Sequence, residues 1–164
     1  MKFAANTVQC RTDSPLGPVV LAASDAGLAG LWFIGQRHQP EIGQWPERPQ
    51  DTILQSACAQ LSAYLAGRRQ AFDLPLDLRS GTAFQQAVWR ALLEIPFGQT
   101  TSYGALSATI GKASAVRAVG GAIGRNPLSV IVPCHRVIGA GGSLTGYAGG
   151  LARKTALLQL EGAL

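Results

Sequence analysis

The chain has 164 residues, 47% hydrophobic and 14% charged, which supplies enough apolar side chain for a packed core and excludes a disordered protein. No apolar run approaches the roughly 20 residues that cross a bilayer. The start, Met1-Lys2-Phe3-Ala4-Ala5-Asn6, lacks the apolar stretch of a signal peptide, so a soluble cytoplasmic protein is expected. The net charge of +5 is uneven: residues 1–79 carry seven Lys/Arg and seven Asp/Glu, while residues 80–164 carry seven Lys/Arg against Glu94 and Glu161 alone. A basic back half suits a polyanionic partner, although many basic proteins bind none.

The pattern predicts an α/β fold in two parts: a small α/β unit over 1–79 and a mostly helical unit over 80–164. Val19 to Ala23 and Leu28 to Ile34 flank an Asp25-Ala26-Gly27 turn and read as a hairpin. A polar loop with Pro40, Pro46 and Pro49 follows, and His38 on it reads as a surface histidine. Asp51 is placed to cap a helix that runs to about Ala66 and closes at Gly67. Phe72, Leu74, Leu76 and Leu78 alternate with polar residues and Pro75, the pattern of an edge strand. The three cysteines form no metal-like pair, and their odd number argues against a disulfide framework. Cys58 lies on the apolar helix face Leu54, Ala57, Leu61, Leu65 and reads as a small buried hydrophobe, as does Cys10 at the end of a strand-like segment.

Arg79-Ser80-Gly81 reads as the boundary between the parts. Thr82 and Gln85 have the spacing of a capping box, ahead of a helix with Phe84, Val88, Leu92 and Ile95 on its apolar stripe and Pro96 at its end. Two short helical segments, about 102–110 and 114–124, joined by Gly111-Lys112-Ala113, have the layout of a helix-turn-helix. Most such pairs only pack. Here the second helix is rich in Ala115, Ala118, Gly120, Gly121, Ala122 and Gly124, which weakens it locally and suits a large partner at close range. Arg117 projects from that surface. The apolar run Val130-Ile131-Val132 reads as a strand leading to Cys134, and 151–161 as a last helix.

The segment Pro133-Cys134-His135-Arg136-Val137 carries the chemistry. A cysteine reacts as its thiolate and needs a base or a positive charge nearby, which His135 and Arg136 offer. Adjacent residues on a strand point to opposite faces, so His135 reaches the sulfur more easily through a water than directly. A carboxylate must then orient the imidazole, and the back half offers Glu94 or Glu161, with Glu161 the better placed.

These residues resemble the methylated-DNA–protein-cysteine methyltransferases, also called O6-alkylguanine-DNA alkyltransferases. The likeness covers Phe84-Gln85-x-x-Val88-Trp89, Ile95-Pro96-x-Gly98, Ser102-Tyr103-Gly104, Arg117-Ala118-Val119-Gly120 and Asn126-Pro127. It continues through Pro133-Cys134-His135-Arg136-Val137-Ile138-Gly139, Gly146-Tyr147-x-Gly149-Gly150, Lys154 and Leu157-Leu158-x-x-Glu161. The resemblance implies a ribonuclease-H-like front domain with a mainly structural role. It implies irreversible transfer of an alkyl group from O6-alkylguanine, or O4-alkylthymine, in duplex DNA to Cys134. His135 would take the thiol proton through water with Glu161 orienting it, and Tyr103 would donate to the departing guanine. Arg117 would fill the gap left by the flipped nucleotide, and Ala115, Ala118, Gly121 and Ala122 would face the minor groove. Asn126 would tie the helix pair to an active-site loop containing Pro133, Arg136, Val137 and Tyr147. The implied protein is a monomer with no cofactor and no metal.

Two positions depart from the family pattern. Val116 stands where a small residue is usual, on the DNA-facing surface, and Ala148 stands where some members have a base-contacting serine. Three rivals bear on the function. A Cys-His hydrolase would leave the Tyr103 and Arg117 blocks unexplained, a damage sensor would lack Cys134, and a transcription regulator would prefer a single operator sequence.

Overall fold

The computed structural model describes residues 1–164. Strands β1 (Val8–Thr12), β2 (Val19–Ser24) and β3 (Gly27–Phe33) form an antiparallel meander. The β2–β3 hairpin requires glycine at position 27. Its φ is 145°, and a Cβ there would lie 2.4 Å from the Pro75 carbonyl oxygen. Both faces of β2 and β3 are covered. Leu21, Ala23, Leu31 and Phe33 join the main core, while Val20, Ala22 and Trp32 pack with Trp45 on the other side. That double burial explains why these strands read as continuous apolar runs.

Helix α1 (Thr52–Leu65) starts where expected, with the Asp51 carboxylate accepting from the Ile53 and Leu54 amides. Gly67 closes it at φ 72°. The predicted edge strand after it is extended but pairs only through one bridge. Leu28 N donates to Pro75 O at 2.7 Å and Asp77 N to Leu28 O at 2.8 Å. Pro75 has no N–H, so the ladder cannot propagate past it.

In the back half, α2 (Ala83–Leu93) begins with the reciprocal Thr82–Gln85 capping box. The two-residue strand β4 (Thr101–Ser102) leads into α3 (Tyr103–Thr109), which Ser102 caps by accepting from Ala105 N. Helix α4 (Val116–Gly124) completes the helix-turn-helix, and β5 (Val137–Ile138) pairs in parallel with β4. Helix α5 (Leu151–Leu160) ends the fold, and none of the helices is long and apolar enough to cross a membrane.

Residues 130–132 correct the expectation of a strand. Leu128 makes one parallel bridge to Leu31, and the chain then coils into two γ-turns. The first centres on Val130, at φ 72°, with Ile131 N donating to Ser129 O at 2.9 Å. The second centres on Pro133, at φ −80° and ψ 61°, with Cys134 N donating to Val132 O at 2.8 Å. Apolar, β-branched residues suit a buried strand, but here they fill the core from a coiled backbone. Cys134 therefore opens a short 3-10 turn, Cys134–Arg136, rather than ending a strand.

One core of 27 buried residues runs through both halves, from Leu21 and Leu31 to Val88, Leu128 and Leu157. Arg153 fastens them from outside. Its guanidinium lies over the Phe33 ring at 4.5 Å, and its Nε donates to Leu16 O at 2.8 Å.

Candidate active site

Cys134 borders a cavity of about 360 Å³, a volume suited to a small planar ligand. Tyr103, Gly120, Gly121, Gly124, Tyr147 and Ala148 line it from the back half, and Arg37 and His38 from the front half. His38 is exposed, as expected of a surface residue, yet it stands at this cavity with φ 61°.

The sulfur itself is buried. Asn126, at the end of α4, aims its Nδ2 at Cys134 Sγ (3.1 Å) and Val132 O (2.8 Å), while its Oδ1 accepts from Leu128 N at 2.9 Å. One side chain thus ties the helix-turn-helix to the cysteine turn. Burial pushes the Cys134 thiol up, against the pull of the Asn126 hydrogen bond and the nearby Lys154 charge. The resting group is a thiol that needs a base.

His135, the candidate base, follows it in the chain and is fully buried. His135 Nε2 donates to Glu161 Oε1 at 2.6 Å, and Nδ1 has no protein partner. With Nε2 protonated, the free lone pair is on Nδ1. Burial lowers the His135 pKa, and the Glu161 carboxylate only partly opposes it, so the ring rests neutral.

Glu161 collects five donors. Besides His135, Arg136 gives Nε to Oε2 (2.9 Å) and Nη2 to Oε1 (3.1 Å), Gly98 N reaches Oε2 at 3.4 Å, and Tyr64 Oη donates to Oε1. Burial alone would raise this carboxyl. The hydrogen bonds from His135, Arg136 and Tyr64 outweigh it and hold the pKa at about 2. Glu94, the other candidate, is exposed at the end of α2.

Tyr64 lies on α1, in the half with no recognisable chemical motif. Its sequence signal is only that of an apolar helix face, because its partner lies 97 residues away. Lys154 is the other underrated group, and its signal was local. It sits three and four residues before Leu157 and Leu158, on the face that turns inward. Fully buried, it donates Nζ to Val137 O (2.5 Å), Thr145 O (3.1 Å) and Gly146 O (3.3 Å). Three ammonium hydrogens meet three carbonyls, one on β5 and two on the loop that leads to the cavity wall. Lys154→Met keeps the length but removes those donors, at an expected cost of about 1–3 kcal/mol. A Tm lower by roughly 5 °C in thermal denaturation is the anticipated reading, and an unchanged Tm would mean the loop is held by other contacts.

Tyr103 Oη donates to Thr145 O at 3.0 Å, which places the phenol at the cavity wall. Ala115 at the N-cap of α4, and Arg117, Ala118 and Gly121 on the helix, are exposed or half-exposed, as is Val116. Ala122 does not join them. It is only 4% exposed, sits in the core, and its carbonyl accepts from Trp89 Nε1 at 2.9 Å. Three residues on from the buried Val119, it lies on the inward side of the helix rather than on the exposed surface. The glycines of α4 are not required by internal packing. A Cβ at Gly121 would meet only the end of Arg125 at 3.8 Å, and one at Gly124 would meet nothing within 4 Å.

A base-assisted buried thiol at the foot of a cavity, next to a basic helix-turn-helix, defines a cysteine-dependent group acceptor on a nucleic-acid-binding scaffold. Comparison with known proteins agrees. Family models described as the ribonuclease-like domain and the DNA binding domain of 6-O-methylguanine DNA methyltransferase match residues 10–78 and 83–163. The methylated-DNA–protein-cysteine methyltransferase of Mycobacterium tuberculosis is 52% identical over 149 residues, covering 91% of this chain and 88% of that protein. The protein of the same description from Methanosarcina acetivorans is 48% identical over 151 residues, covering 92% and 95%. The crystal structure of Mycobacterium tuberculosis OGT in complex with DNA matches with a TM-score of 0.87 at 50% identity, over 94% of this chain and 92% of that one. The chain belongs to the methylated-DNA–protein-cysteine methyltransferase family.

Proposed function

We propose that this protein reverses alkylation damage in duplex DNA by taking the alkyl group of O6-alkylguanine onto Cys134, once and irreversibly. The observation that carries this reading is the placement of Cys134 at the cavity, with the neutral His135 and its ionised partner Glu161 behind it. The sulfur attacks the alkyl carbon, the carbon–oxygen bond breaks, and a carbon–sulfur bond forms. The thiol proton passes through a water to His135 Nδ1, the nitrogen without a protein partner. Glu161 stabilises the imidazolium that results. Tyr103 exchanges its loop carbonyl for the guanine and donates to it, so that a neutral purine departs rather than an anion. All of these groups come from one chain, so the proposed transfer needs no residue from a second copy.

The damaged nucleotide reaches the cavity by leaving the stack, and Arg117 takes its place. The exposed position of Arg117 and the small residues beside it support this role. Arg117→Ala should then slow transfer from duplex DNA at least roughly tenfold while sparing reaction with free O6-benzylguanine. Single-turnover assays on both substrates check this, and equal losses would remove the flipping role.

The direct test of the whole reading is intact and peptide mass spectrometry after mixing with excess duplex containing one O6-methylguanine. One methyl group on the Cys134 peptide, with no further turnover, is the expected result. An unmodified, folded protein beside an unrepaired lesion would reject it.

A further inference from the structure

Outside the cavity lining, β1 and α1 bring two cysteines together. Cys10 Sγ and Cys58 Sγ lie 3.7 Å apart, although 48 positions separate them in sequence. Cys10 is buried at 6% exposure, whereas Cys58 is half-buried, not the enclosed hydrophobe its helix face suggested. We infer that Cys10 and Cys58 form a dithiol site that a peroxide-class oxidant converts to a reversible disulfide. A disulfide needs the sulfurs at about 2.05 Å, so they must close by about 1.6 Å, within the sweep of two side-chain rotations. The contact also divides the labour between the thiols. The hydrogen bond from Cys10 lowers the Cys58 pKa against the effect of burial, and the same contact with Cys58 raises Cys10. Cys58 is therefore both the less buried residue and the better nucleophile.

The reaction balances in two steps. Cys58 thiolate attacks a peroxide oxygen, the O–O bond breaks, and the leaving hydroxide takes a proton to become water. The Cys58 sulfenic acid is then attacked by the Cys10 sulfur. The S–S bond forms, the S–O bond breaks, and hydroxide leaves with the Cys10 proton as a second water. Cys134 stays out of this chemistry. It is buried, its sulfur is engaged by Asn126, and burial holds it as the thiol. Oxidation at the front of the molecule should leave the alkyl acceptor intact, and the dithiol site does not depend on the repair reading.

The test treats the full chain with a few equivalents of hydrogen peroxide, blocks free thiols with iodoacetamide under denaturing conditions, and digests without reductant. The expected products are a cross-linked pair of peptides containing Cys10 and Cys58, reversed by dithiothreitol, and a blocked, unoxidised Cys134. The cross-linked protein should melt roughly 5–10 °C higher, since the bridge closes a long loop. In Cys10→Ser, which lacks the resolving thiol, dimedone should trap Cys58 as its sulfenic acid. Recovery of Cys10 and Cys58 as separate iodoacetamide adducts, or preferential oxidation of Cys134, would overturn the inference.

Discussion

Cys134→Ser should abolish alkyl transfer while the protein still folds and still binds duplex DNA. The substitution is small. The serine hydroxyl keeps a partner in Asn126 Nδ2, and Asn126 keeps its bond to Val132 O. What changes is the nucleophile. A hydroxyl is far harder to deprotonate than a thiol, and the neutral His135 is too weak a base to generate an alkoxide. The proposed duplex-binding surface lies on α4, which the substitution leaves untouched. Mass spectrometry with methylated duplex, alongside a gel-shift titration, reads both properties. A methylated serine variant would move the acceptor to another residue, with Cys10 and Cys58 the first to inspect.

Glu161→Gln is expected to damage stability and rate together. The amide is isosteric, but it leaves the buried Arg136 guanidinium without its counter-charge and gives His135 a neutral partner. Removing one member of a buried ion pair costs about 3–5 kcal/mol, or a Tm drop on the order of 10 °C here. Transfer should slow by roughly 100-fold, because the imidazolium loses its stabilising carboxylate. The pH dependence has a defined sign. The Glu161 pKa falls from 4.5 to about 2 on folding, so its contribution is full above 4.5 and fades as the pH drops toward 2. His135 acts in the same direction from higher pH. Its folded pKa lies below the ordinary 6.5, so stability declines as the unfolded chain binds a proton below that value. The variant should lose the Glu161 part of the acid limb, between about 4.5 and 2. Thermal melts across pH check this, and an unchanged acid limb would show that the carboxylate is not held as described.

Local signals were legible in the sequence. Asp51, Thr82 with Gln85, and Pro96 mark helix ends through contacts made within three or four residues, and the structure places those ends accordingly. The sequence also brought forward Cys134, His135, Glu161, Tyr103 and Asn126, which the structure gathers around one cavity and its supporting network. Long-range pairing stayed hidden. Nothing near Tyr64 points to Glu161, and nothing near Cys10 points to Cys58, because each partner arrives from another element. Hydrophobicity misled at Val130 to Val132, where burial without strand pairing gives the same residue types as a core strand. The small residues of α4 suggested an approachable surface, but periodicity turns Ala122 into the core.

Val130 links the front-half core to the cysteine turn. A β-branched residue at φ 72° is strained by about 1–3 kcal/mol, and only its surroundings keep it there. Those surroundings are Leu31 on β3, bridged to Leu128, and the core shared by both halves. The path from that bridge to Cys134 is six residues long and includes both γ-turns. A substitution at Leu31 is therefore expected to disturb the cysteine turn, although Leu31 does not line the cavity. The front-half core and the cysteine turn are therefore one mechanical unit, joined through Leu31, Leu128 and Val130.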